Sequence, residues 1–180
     1  MPRLIEVVDY DPLWVAAFQK EAALLNGIFG ERVVEIHHIG STAVPRLDAK
    51  PIIDILVVLD HTGDISSFDR AMEDAGYRVR GECLDATIPG TPGRFYFTKE
   101  TNGVRSHHVH VYAKEHWEIS DKLAFRDYLR AHREKAAAYG ELKRRIAAQH
   151  RFDNIGYMRA KDSFVKSTLL EARRWSERNR

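Results

Sequence analysis

Apolar positions along the chain change period several times, and each change marks an element. Trp14, Phe18, Ala22, Leu25 and Phe29 recur at helical spacing behind the helix-starting pair Asp11-Pro12, which predicts an amphipathic helix ending near Gly27 or Gly30. A short β-prone run, "LIEVVDY", precedes it, and "RVVEIHHIG" reads as a strand. "PIIDILVVL" is the most apolar run and too short for a typical helix, so it predicts a central strand buried on both faces. Over "DISSFDRAMEDAGY", Ile65, Phe68, Met72 and Ala75 line one helical face, with Gly76 as the stop. Three further strands are predicted at "YRVRGECL", "GRFYFTKE" and "SHHVHVYAK", separated by the turn-rich "DATIPGTPG" and "ETNG". Beyond residue 116 the pattern is helical, with breaks expected at Gly140 and "FDNIG". This order predicts an α+β fold in one domain over 1–180: a sheet-containing part over 1–115 and a helical part over 116–180.

Composition narrows the class. A chain of 180 residues can bury a proper core, and 44% hydrophobic with 30% charged residues is ordinary for a folded soluble protein. Cys83 is the single cysteine, so neither an internal disulfide nor a thiolate cage can form, which fits a reducing cytoplasm. Glu6, Asp9 and Asp11 interrupt the stretch a signal peptide would need, and no window approaches a membrane span; a cytoplasmic location and no membrane partner are expected. With 28 basic against 26 acidic residues, general nucleic-acid binding is not implied, whereas an anionic small ligand is permitted.

Four groups of residues suggest chemistry. Gly40, Ser41 and Thr42 follow an apolar run directly; glycine allows close backbone approach, turn amides form an anion nest, and two hydroxyls add donors, so phosphate is the natural guest. The same tripeptide also suits a plain turn before Pro45. Asp54 sits inside an apolar strand, where a carboxylate needs a metal or a cation; Lys50 is the nearest basic residue, and a strand-end capping role is the alternative. His108 and His110 share one strand face, opposite His107, and with Asp54 they can make a two-His, one-carboxylate metal site or simply bond their neighbours. Arg126, Arg130 and Glu134 form a helical stripe, and Tyr157 stands four before Lys161. Such stripes usually face solvent, but Arg126 and Lys161 would meet phosphates if the helices close over the loop.

The segments "DPLW", "HIGSTAVPRLDAKPIIDILV", "HHVHVY", "LAFRDYLRAHREKAAAYGELK" and "YMRAKDSF" resemble the GrpB family over nearly the whole chain. The resemblance implies a nucleotidyltransferase-like mixed β-sheet backed by helices, with a Gly-Ser loop holding nucleotide phosphates and acids holding divalent ions. Gly40 and Ser41 match the loop, and Asp54 resembles the second acid of the pair. Ile52 stands in the first acid's place, His108 or His110 in the place of the later acid, and Arg46 where the family commonly has glycine. The leading expectation is nucleotidyl or phosphoryl transfer, with Asp54 catalytic, Gly40, Ser41, Thr42 and Lys50 on the phosphates, and Asp54, His108 and His110 on a divalent metal: magnesium, manganese or a softer ion. The alternative is a module that binds a nucleotide or other phosphorylated small molecule without turnover, which the missing acid favours. A metal-dependent hydrolase built on the His pair ranks third.

Overall fold

The computed structural model describes residues 4–82 and 91–179; Cys83, Leu84 and most of the "DATIPGTPG" turn lie outside them. The chain divides into a sheet unit, Leu13–Ile39 with Ile52–Ile119, and a helical unit, Met1–Pro12 with Gly40–Pro51 and Ser120–Arg180.

In the sheet unit the first helix, α1 (Leu13–Phe29), buries Trp14, Leu25 and Phe29 at the expected spacing, and also Glu21. Five strands follow: β1 (Val33–Ile39), β2 (Ile53–Leu59), β3 (Tyr77–Glu82), β4 (Phe95–Thr101) and β5 (Val104–Ala113), in the order β1-β2-β5-β4-β3. β2 runs antiparallel to β1 and parallel to β5, and the β5-β4-β3 half is antiparallel. The sheet is therefore mixed, and β2, flanked on both edges, buries Ile55 to Leu59 almost completely. The expected helix after β2 is shortened: Ile65–Phe68 form a 3-10 turn, and the α-helix α2 covers only Asp69–Asp74. Ser66 and Ser67 weaken the first turn, because serine competes with helical backbone bonds. Gly76, at φ 87°, stops the helix as expected.

The helical unit contains α3 (Glu118–Ala131, entering the unit at Ser120), α4 (Arg133–Gln149) and α5 (Asn154–Arg178). The break expected at Gly140 falls at His132 instead, whose backbone leaves the helical region at ψ 80°. Its ring stacks on Tyr128 at 3.9 Å, and its Nδ1 lies 2.8 Å from the Tyr128 carbonyl oxygen. Gly140 stays inside α4, where Leu47 and Asp48 pack against it. The break at "FDNIG" holds, with Asp153 capping α5 by accepting from the Gly156 amide at 2.9 Å. The "LIEVVDY" run makes one isolated bridge, Val8 with Ala49, rather than a strand. Val44 and Leu47 from the 40–51 segment join Leu129, Ala136 and Tyr139 in one core cluster, so that segment is part of the helical unit's interior.

Candidate functional site

β1 delivers the chain to Gly40, whose φ of 69° with ψ of −170° is open only to glycine. Ser41–Ala43 then close a 3-10 turn through Ala43 N–H to Gly40 O (3.3 Å) and Val44 N–H to Ser41 O (3.1 Å). Ser41 is partly exposed, but Thr42 is buried at 1%. Arg46 is exposed and holds φ 66°, a left-handed backbone that glycine would adopt without strain.

Basic residues of α3 and α4 fix this loop. Arg130 donates from Nε to the Ala43 carbonyl at 2.9 Å, Lys143 donates to the Asp48 carbonyl, and Arg144 pairs with the Asp48 carboxylate at 2.5 Å. Arg126 binds Asp127 through Nε (2.7 Å) and Nη2 (2.9 Å), and Arg130 reaches the same carboxylate at 3.5 Å. Burial, then the nearby Arg126 charge, hold the Arg130 guanidinium below the ordinary arginine value. One carboxylate thus serves two arginines beside the Ser41–Ala43 turn. Arg130 was legible only as a member of a solvated stripe, since its acceptor lies 87 residues away. Lys50 and Lys161 gather on Tyr157, with ammonium-to-ring distances of 4.7 and 5.5 Å, and Lys50 also donates to Asn154 at 3.4 Å.

In the sheet unit Asp54 is the second residue of β2, paired with Ile39 on β1 and His108 on β5. The sequence suggests an acid sunk in a strand core; the side chain retains 29% exposure because it lies at the strand's start. His108 Nδ1 lies 2.9 Å from Asp54 Oδ1, and His110 Nε2 lies 4.0 Å from the same oxygen. Tyr96 stacks on His110 at 5.1 Å and meets His108 at 5.5 Å. Burial, then the Asp54 carboxylate, push the Tyr96 phenol up to about 12. Ile52 is buried at 9%.

The predicted metal trio therefore shares one sheet face, but among the described residues no three His, Cys, Asp or Glu side chains are arranged to hold an ion. Asp54 and His108 satisfy each other by a direct hydrogen bond, and Ile52 brings no oxygen where a second acid would bridge two ions. As they stand, these side chains do not fit the metal pair that the fold implies. No helix among the described residues is long and apolar enough to cross a membrane.

The chain is 40% identical over 175 residues to UPF0157 protein YqkA of Bacillus subtilis (strain 168); this covers 97% of the chain and 49% of YqkA, so the chain spans about half of that relative. Its structure is similar to the crystal structure of the conserved protein GrpB from Enterococcus faecalis, with a TM-score of 0.84, 39% identity, and coverage of 93% of this chain and 96% of that one. Cid1, solved in complex with its short product ApU, matches at a TM-score of 0.51 and 14% identity over 76% of this chain and 42% of Cid1, a likeness of fold alone. The α+β architecture is thus of nucleotidyltransferase type. The GrpB protein family matches residues 4–171, and the chain belongs to that family.

Proposed function

We propose that this protein binds a nucleotide or a closely related phosphorylated small molecule, its phosphate seated on the Gly40-Ser41 turn beside Arg126 and Arg130. The observation that carries this reading is the Arg130–Ala43 hydrogen bond: a guanidinium 40% exposed fixes the turn beside Arg126, setting two cations at a turn that glycine opens to close approach. Thr42 contributes through the turn's packing, because its hydroxyl is buried. Lys50 and Lys161, brought together over Tyr157, supply further positive charge in the same unit. The absence of an acid at Ile52 favours binding without metal-dependent turnover.

A second reading is metal-dependent nucleotidyl or phosphoryl transfer with Asp54 as the central acid. What favours it is the placement of Asp54, His108 and His110 on one face. Calorimetric titration of ATP, CTP, GTP and UTP, in EDTA and with magnesium or manganese, separates the two. In the first reading binding survives EDTA at the micromolar-to-millimolar strength usual for metabolites. Asp54→Asn then leaves it intact, and Arg130→Gln weakens it. Binding that requires the metal and vanishes in Asp54→Asn would replace the first reading with the second.

A further inference from the structure

The β3-β4-β5 face carries basic groups that the loop reading does not use. On β4, Thr98 is the register partner of Arg78 on β3 and of His108 on β5. Arg80 lays its guanidinium over this position, donating from Nε to Thr98 Oγ1 at 3.2 Å, and makes no ion pair among the described residues. Two strand positions further along β4, Glu100 serves two arginines, Arg105 at 3.3 Å and Arg78 at 3.4 Å. Arg105 is drawn into the face, its side chain 12% exposed and its Nε buried without a hydrogen-bond partner among the described residues. The remaining carboxylate, Asp54, is already met by His108. Among the described residues the patch thus holds three guanidiniums against two carboxylates that are both engaged, with two imidazoles beside them, and an ordered positive excess of this kind recognises an anion.

We infer that this sheet face is a phosphate site in its own right, binding a phosphate monoester or diphosphate group directly on Arg80, Arg105 and His108, with Tyr96 and His110 as its floor and no metal between. Arginine suits this role because its planar fork gives two parallel N–H bonds to phosphate oxygens. Thr98, buried beneath Arg80, fixes the fork's direction. The site lies wholly within the sheet unit and is independent of the Gly40-Ser41 reading.

The test uses inorganic pyrophosphate and inorganic phosphate as probes, in EDTA, with calorimetry for affinity and the His108 and His110 imidazole NMR signals for location. Wild type should bind pyrophosphate and shift both imidazole signals. Arg80→Gln, an exposed change that spares the core, should weaken that binding about tenfold, and Arg80→Lys should recover part of it. Arg174→Gln, an exposed substitution on α5, serves as the charge control and should change nothing. Absence of binding at millimolar pyrophosphate, unmoved imidazole signals, a dependence on magnesium, or equal affinity in Arg80→Gln would each overturn the inference. Pyrophosphate binding that survives Arg80→Gln but is lost in Arg130→Gln would overturn it while leaving the loop reading standing.

Discussion

Lys99 on β4 brings its ammonium to 2.6 Å from Glu21 Oε1, and the Tyr77 hydroxyl donates to the same oxygen at 2.7 Å. Glu21 is 5% exposed, so this carboxylate joins α1 to β3 and β4 from within the sheet unit's interior. Burial alone would raise its pKa, but the bonds from Lys99 and Tyr77 outweigh burial and hold it below the ordinary 4.5. Glu21→Ala should cost about 3 kcal/mol, the lower end for breaking a buried pair, because Lys99 keeps some solvent. A folded-state pKa below the unfolded one means the stabilisation is fully present above pH 4.5 and is lost as pH falls through the depressed value. Denaturation midpoints of wild type and Glu21→Gln should therefore converge below pH 4.5; a constant gap would remove the ionic contribution.

Arg46 predicts a gain. A non-glycine residue at φ 66° costs about 1–2 kcal/mol, partly offset by the entropy that glycine loses on folding. Arg46→Gly should raise stability by up to about 1 kcal/mol, whereas Arg46→Ala, which keeps the Cβ, should not. Urea denaturation of the two variants decides it, and a less stable Arg46→Gly would count against strain at this position.

Two helical glycines should respond oppositely to alanine. A Cβ at Gly140 would meet Leu47 Cδ1 and Asp48 Cβ at 3.5 Å, an ordinary contact, so improved helix propensity should dominate and add up to about 1 kcal/mol. At Gly156 the same atom would fall 2.2 Å from Asp153 Oδ2, displacing the α5 cap at a cost of about 1 kcal/mol. Thermal melts of both variants check the sign.

Arg130→Gln should separate anchoring from charge. Losing a charged hydrogen bond to the Ala43 carbonyl costs about 1.5 kcal/mol of stability, and nucleotide affinity should fall about tenfold. Arg126→Gln keeps the Ala43 anchor but gives up two bonds to Asp127, so its stability loss should be similar while any fall in affinity reports charge alone. Wild-type affinity in both variants would dismiss the two arginines as phosphate contacts.

The strands and α1 were legible because periodicity reports which face is buried. The run over β2 announced a two-sided strand, and Trp14, Leu25 and Phe29 announced the inner face of α1. Glu21 was not legible: a single acid on an amphipathic helix looks solvated until its partner, 78 residues away, is known. Arg130 hid in a basic stripe for the same reason. The α3–α4 break escaped because apolar spacing continues across His132, where the Tyr128 stack and a side-chain bond to the backbone divert the chain. Gly140 misled because glycine marks either a helix end or a close approach, and only the position of Leu47 distinguishes them. Alternation put His108 and His110 on one strand face, yet it could not reveal that Asp54, on the neighbouring strand, bonds to His108.

The chain passes between its two compact units after residues 12, 39, 51 and 119, and the candidate phosphate loop is the short excursion between the second and third crossings. During synthesis this loop is made before the residues that hold it, Arg130, Lys143 and Arg144, which follow the last strand of the sheet. A nascent chain can complete every strand of the sheet while its Gly40-Ser41 turn still lacks these anchors. On the proposed phosphate reading, ligand competence would be acquired only as α3 and α4 emerge, and a chain stalled before Glu118 would carry the loop's sequence without the anchors that hold it.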